Sequence, residues 1–360
     1  MTFDHRSVMS GQRSDPLAML MRMGLRILSW PYGWEVRRRN RQFDSGRREV
    51  LPCGVPVISV GNLTTGGTGK TPIVCYLAKQ LRQRGLRVAI VSRGYGRGEA
   101  DENDEAIELH SRLPDVPHVQ NPDRFEAARI AVEELEAEVI LMDDGFQHRR
   151  LHRNKNIVVI DATCPFGFGY LLPRGLLREP IESTTRADLV LISRCDCVGE
   201  TTLTEIESTL RNLHSSIPII RSNHAAKSLL EFPDTLQPID ALRDRKVAVV
   251  CAIGNPTAFV QTIEQHGGIV IDTKVLPDHD RYTPDTMAEV REWVRGLGDS
   301  VNQVVCTHKD LVKLRTDRIG GNPLAAIMID LQIVSDASQL DELLSEVVGE
   351  CGDVGRQGSV

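Results

Sequence analysis

The sequence predicts an α/β fold built around a parallel sheet of the P-loop NTPase type, with a second, smaller α/β domain. Two observations carry this. Short apolar runs alternate with amphipathic stretches of helical length, the signature of βαβ units, and a Gly-rich segment ending in Gly-Lys-Thr stands between the first such run and the first such stretch. The 360 residues fit two domains at about 100–200 residues each, and 41% apolar against 26% charged residues is enough to build a core in both.

The elements follow in order. Residues 15–48 open the chain as an amphipathic helix: Leu17, Met19, Leu20, Met23, Ile27 and Trp30 recur at helical spacing, Arg22 and Arg26 interrupt them, and Arg37, Arg38, Arg39, Arg41, Arg47 and Arg48 follow. Such a helix either packs on its own domain or lies in a bilayer interface with its arginines on anionic headgroups. Strands are expected at Val57–Val60, Val88–Ser92, Val139–Met142, Ile157–Ile160, Leu189–Ile192 and Ile217–Ile220, with helices at Lys70–Arg84 and Arg124–Leu135. Past Pro233 and Pro238 a second βαβ series runs through Lys246–Cys251, Gly268–Asp272, Gln303–Cys306 and Ile327–Asp330. The expected division is 1–235 for the P-loop domain, 236–345 for the smaller one, and a frayed Gly-rich tail at 346–360.

Charge and cysteine usage narrow the function. Forty-three basic against 49 acidic side chains leave a net charge of −6, which argues against nucleic-acid binding over the whole surface. The eight cysteines form no C-x-x-C pair and no zinc-spaced cluster, so they read as thiols in a reducing compartment. No secretory h-region opens the chain, and no run reaches the roughly 18 apolar residues of a membrane-spanning helix.

The chemistry concentrates in a few segments. Thr64, Thr65, Gly66, Gly67, Thr68, Gly69, Lys70 and Thr71 follow a strand and open a helix. Backbone N–H groups there can face a polyphosphate, Lys70 can reach β/γ oxygens, and the Thr71 hydroxyl can ligate Mg²⁺. Thr64 stands where the strict pattern has its first Gly. Asp143 and Asp144, where the Val139 strand stops, are the matching metal-holding acids. Gln147 and His148 follow at the edge of the sheet where ligands of open α/β folds bind, although His148 is equally readable as a cap or core histidine. Arg93 and Tyr95 lie in a doubly basic Gly loop suited to phosphate oxygens, and the long loop 165–180 has the composition of a lid. In the second domain Pro277-Asp278-His279-Asp280 and Thr307-His308-Lys309-Asp310 set a histidine beside aspartates, an arrangement open both to acid–base work and to a plain solvated turn.

Taken in order, VGNLTTGGTGKTP, SRGYGR, DDGFQHRRL, PFGFGYLLPRGLLREP, PDHDRYT and THKDLVKL closely resemble the tetraacyldisaccharide 4′-kinase (lipid A 4′-kinase) family over about residues 15–330. The resemblance implies two α/β lobes joined by a β linker. It implies ATP- and Mg²⁺-dependent phosphorylation of the 4′-hydroxyl of a tetraacylated glucosamine disaccharide 1-phosphate, by a peripheral protein, expected to be a monomer, on the cytoplasmic face of the inner membrane. It implies nucleotide contacts at residues 64–71, metal contacts at Thr71, Asp143, Asp144 and Glu179, and substrate contacts at Arg93, Tyr95, Arg124, Gln147, His148 and Arg178. The general base of the family sits in a G-D-E-P motif, whose nearest match is Asn103-Asp104-Glu105-Ala106. Asp104 is then the base, Asp101 and Glu105 are its rivals in register, and His279 is its partner. With Asp104 in the first domain and His279 in the second, the dyad would form on lobe closure. His308 replaces the usual Glu of a T-E-K-D motif. A rival class is the nucleotide-switch ATPase of the partitioning or targeting type, but Thr65 stands where that class has a lysine before the double Gly.

Overall fold

The computed structural model describes residues 5–11, 13–66, 68–94, 104–253, 256–277 and 280–357. In chain order the elements are α1 (His5–Ser10), α2 (Pro16–Asp44), β1 (Val57–Asn62), α3 (Lys70–Gln83), β2 (Val88–Ser92), α4 (Asp104–Arg112), β3 (His118–Gln120), α5 (Arg124–Glu133), β4 (Val139–Asp143), β5 (Lys155–Asp161), β6 (Leu189–Ser193), α6 (Glu200–Leu213), β7 (Ile219–Glu231), β8 (Thr235–Pro238), β9 (Lys246–Cys251), α7 (Pro256–Gln265), β10 (Ile269–Val275), α8 (Pro284–Leu297), β11 (Gln303–Thr307), α9 (His308–Leu314), β12 (Arg318–Ile319), β13 (Asn322–Ile333) and α10 (Ser338–Gln357). They form two compact units. One takes residues 1–94, 115–223 and 332–360, the other 95–114 and 224–331.

The first unit is built on parallel strands in the order β7-β6-β5-β1-β4-β2-β3. Strands β1, β2, β4 and β6 are buried along their whole length, which is why they read as unbroken apolar runs rather than as alternating ones. Register decides where the chemistry falls. Val60 pairs with Asp143, so the Gly-rich loop after β1 and the acids after β4 leave the sheet side by side. Helix α3 buries Ile73, Val74, Leu77, Ala78 and Leu81, the stripe that a 3.6-residue period lays on one face.

The second unit has β10-β9-β11-β13 in parallel, with β8 antiparallel to β7 and β12 antiparallel to β13. Its core gathers Val247, Val249, Ile263, Val290, Val294, Val304 and Leu324. The β linker is visible in the chain itself: β7 has Ile219–Asn223 in the first unit and its remainder in the second.

The expected division needs two corrections. Helix α4 belongs to the second unit and not to the P-loop domain, because it packs on α9. Arg112 donates to the Ile329 carbonyl at 2.6 Å and to Asp330 at 2.7 Å, and Ser111 Oγ lies 3.2 Å from His308 Nε2. Asp104, the first residue of α4, therefore shares a unit with the chain on both sides of residue 279, and lobe closure is not required to bring that part of the sequence together. The tail is not frayed through 346–357 either. Leu340, Leu343, Leu344 and Val347 of α10 are buried at helical spacing, Arg84 pairs with Asp341 at 2.8 Å, and Lys155 pairs with Glu346.

Candidate active site

Helix α3 begins without a side-chain cap. Its N-cap is Gly69, held at φ 75° and ψ 34°, a left-handed conformation that costs glycine little and most residues more. The N–H groups of the first turn are thereby left to an external acceptor. The preceding loop is fixed by its own neighbours: Thr65 N–H donates to the Leu176 carbonyl at 2.8 Å, Arg178 N–H to the Leu63 carbonyl at 2.7 Å, and Ser193 Oγ to the Thr68 carbonyl at 3.1 Å.

Asn62, at the end of β1 and fully buried, is the hub of this end of the sheet. Its amide donates to the Thr64 carbonyl at 2.9 Å and to Thr68 Oγ1 at 3.0 Å, while its side-chain oxygen accepts from Lys70 Nζ at 3.3 Å and from Arg178. Gln147 Nε2 donates to the Asn62 carbonyl at 2.9 Å. Asp144 completes the constellation. It lies 3.3 Å from Lys70 Nζ and takes both guanidinium N–H groups of Arg178 at 2.8 Å each. Burial alone would raise its carboxyl pKa, but the Arg178 hydrogen bonds and the Lys70 charge outweigh that and hold it well below the usual carboxylate range. Asp143 Oδ1 accepts the N–H of Asp144 at 2.9 Å.

An uncapped helix start with a lysine in its first turn and a carboxylate beside that lysine leaves N–H groups and a cation that can meet an anionic ligand. The family of the chain follows from its similarity to known proteins. The sequence model of the family described as tetraacyldisaccharide-1-P 4′-kinase matches residues 21–349. The chain belongs to the tetraacyldisaccharide-1-P 4′-kinase family. It is 35% identical over 353 residues to the tetraacyldisaccharide 4′-kinase of Anaeromyxobacter dehalogenans (strain 2CP-C), covering 93% of each chain. To that of Geobacter sulfurreducens it is 35% identical over 361 residues, 95% of this chain and 98% of that protein. The crystal structure of LpxK from Aquifex aeolicus in complex with ATP superposes with a TM-score of 0.73 at 30% identity, covering 91% of this chain and 99% of that one.

Within this 4′-kinase family member, the structure brings together Thr64, Thr65, Thr68, Gly69, Lys70, Asp143, Asp144, Gln147 and Arg178. Thr71 sits in the first turn of α3. Arg124 is buried at the start of α5 and donates to the Pro122 carbonyl at 2.9 Å. Burial and then the Arg93 charge press its pKa down, while Asp144 and Asp143 act on it in the opposite sense, which places Arg93 in the same electrostatic neighbourhood. Burial, and after it the charge of Arg124, pushes the His148 pKa down to about 4, so the ring is neutral at pH 7. Gly67, Tyr95, Asp101, Asp278 and His279 lie outside the described residues, as do the side chains of Asp104 and Glu105.

Glu179, expected as a metal ligand, stands among cationic partners. Glu179 is fully buried; Asn40 Nδ2 donates to it at 2.7 Å, Arg186 at 2.9 Å, and Arg39 lies at 3.8 Å. In the structure it is the counter-ion of an arginine cluster. The Thr307–Asp310 segment is likewise turned inward. Thr307 and Asp310 form a capping box on α9, and His308, 5% exposed, has Nδ1 3.9 Å from Glu108 Oε1. Sequence reasoning missed Asn62 and Ser193. An Asn closing a buried strand just before a Gly-rich loop is the signal that could have flagged the first.

Proposed function

We propose that the chain transfers the γ-phosphoryl group of ATP to the 4′-hydroxyl of tetraacyldisaccharide 1-phosphate, at the cytoplasmic face of the inner membrane and as a peripheral monomer. The observation that carries this reading is the Lys70–Asp144–Arg178–Asn62 constellation at an uncapped helix N-terminus, in a chain that belongs to a 4′-kinase family.

The donor set suits Mg²⁺. Among the described residues no three His, Cys, Asp or Glu side chains converge, and Mg²⁺ bound with a nucleotide needs only one or two carboxylates besides the phosphate oxygens. Thr71, Asp143 and Asp144 would hold the ion, which when bound offsets the charge on the β- and γ-phosphates. Residues 64–71 cradle the polyphosphate through backbone N–H groups, and Lys70 neutralises the oxygens that gain charge as the γ-phosphoryl leaves. Arg93, Arg124, Gln147, His148 and Arg178 line the approach for the sugar and its phosphate. Asp104 takes the proton of the attacking hydroxyl, and His279 orients that carboxylate.

Helix α2 supports the membrane part of the reading. Leu20, Met23, Ile27, Trp30 and Trp34 are all more than half exposed among arginines, as an interfacial helix requires, and among the described residues no helix is long and apolar enough to cross a bilayer.

The test is phosphate transfer by purified chain with Mg²⁺ and ATP, comparing tetraacyldisaccharide 1-phosphate in mixed micelles with micelles alone. Labelled lipid product formed only with the acceptor is the expected result. Hydrolysis indifferent to the acceptor would replace this reading with a nucleotide switch.

A further inference from the structure

Helix α2 has a second face, formed by its buried residues Ser29, Gly33, Val36 and Asn40, which recur at i, i+4, i+7 and i+11. This face rests on the loop that carries Arg178. Ser29 Oγ donates to the Leu171 carbonyl at 3.0 Å and accepts from the Arg174 N–H at 3.1 Å. The helix approaches so closely at Gly33 that a Cβ there would stand 2.8 Å from Leu171 Cδ1. Two turns of α2 then reach Arg178 and Glu179: Tyr32 Oη donates to the Arg178 carbonyl at 2.9 Å, and Asn40 Nδ2 donates to the buried Glu179 side-chain carboxylate at 2.7 Å. Burial, ahead of opposing arginine charges, pushes the Tyr32 pKa up, so the phenol stays a donor. On its other side Arg178 itself is held next to the Gly-rich loop, its backbone N–H on the Leu63 carbonyl and its guanidinium on Asp144 and Asn62.

We propose that Tyr32 and Asn40 are positioning residues for phosphate transfer: they seat Arg178 and Glu179 on α2 and so hold the Arg178 guanidinium on Asp144 beside the Gly-rich loop. The helix that presents its apolar face to lipid is then fastened directly to the site of chemistry. The substrate's headgroup and the γ-phosphate meet a single rigid assembly, not two parts joined by a loose loop. This inference rests on the kinase reading above, with Arg178 acting at the phosphate site.

The test is a double-mutant cycle on the full chain, with lipid phosphorylation as the readout. Tyr32→Phe removes one hydroxyl from a half-buried ring and is expected to lower kcat about fivefold, the effect of one hydrogen bond, with the KM for ATP within twofold. In an Arg178→Ala background the same change should do nothing more, because the group that it positions is gone. Asn40→Ala is expected to behave like Tyr32→Phe and to be equally silent in that background. A wild-type chain that phosphorylates no lipid overturns the kinase reading and this inference with it. Wild-type transfer with an unchanged kcat in Tyr32→Phe overturns this inference alone, as do losses in Tyr32→Phe and Arg178→Ala that simply multiply.

Discussion

Two helices begin at the carboxyl ends of parallel strands, one in each unit, and they begin in opposite ways. Helix α3 follows β1 through a Gly-rich loop, and no side chain of its own caps it. Helix α9 follows β11 directly and is closed by a capping box, Thr307 accepting from the Asp310 N–H while Asp310 accepts from the N–H of Thr307. The carboxylates beside the two starts differ in the same sense. Asp144 is ionised against Lys70 and Arg178, whereas burial pushes the Asp310 pKa up despite its hydrogen bonds from Thr307 and Tyr282. A helix start that its own sequence leaves open can take an anion from outside; one that its own residues close cannot. The same strand–helix geometry thus leaves an open helix start in one unit and a closed one in the other.

The largest effect should come from the open end. Lys70→Ala is expected to lower lipid phosphorylation about a thousandfold, the scale on which charge-stabilising groups act in phosphoryl and acyl transfer. It should leave the thermal midpoint nearly unchanged, since Asp144 keeps its bidentate bond to Arg178. Transfer rates within threefold of wild type would mean that the cradle lies elsewhere.

That contrast was only half legible in the sequence. The open start could be read because glycine, lysine and threonine are there for local reasons: each shapes the backbone or places a polar group within a few residues of its place in the chain. The buried parallel strands could be read for the same reason, as short apolar runs. What escaped depends on residues distant in sequence. Asn62 draws its importance from Arg178, and Glu179 from Asn40 and Arg186. Helix α4 is assigned to its unit by partners on α9 and β13, such as Ser111 with His308 and Arg112 with Asp330. The last turns of α10 looked frayed because Gly349, Gly352 and Gly355 weaken the local signal, while Leu343, Leu344 and Val347 bury themselves all the same.

The histidines sharpen the comparison at an intermediate size of effect. His308 has a carboxylate for a neighbour, Glu108, whereas burial, and after it the charge of Arg124, outweighs the opposing charge of Asp123 at His148 and depresses its pKa to about 4. An imidazole near 6.5 in the unfolded chain takes up a proton between pH 6.5 and 4 while the folded one does not, so protonation favours unfolding as pH falls through that window. His148 should therefore cost stability on the order of 2 kcal/mol at pH 4.5 relative to pH 7, after allowance for solvent screening of a half-buried ring. Urea titrations of wild type and His148→Gln should converge at low pH relative to their separation at pH 7. Parallel curves across the whole range would show that His148 titrates in the fold as it does in the unfolded chain.

The smallest effect tests the closed end. Thr307→Ala removes one half of the capping box, and such losses cost about 1 kcal/mol. Asp310, fully buried, would keep its own packing but lose the hydroxyl that donates to it at 2.7 Å. If the start of α9 is purely a structural corner, the variant loses this much in chemical denaturation and its kcat stays within twofold of wild type. If kcat falls tenfold with stability intact, the Thr307-His308-Lys309-Asp310 segment touches the nucleotide. The capping box would then be a resting arrangement that opens when ATP binds, and the difference between the two helix starts would be one of state rather than of kind.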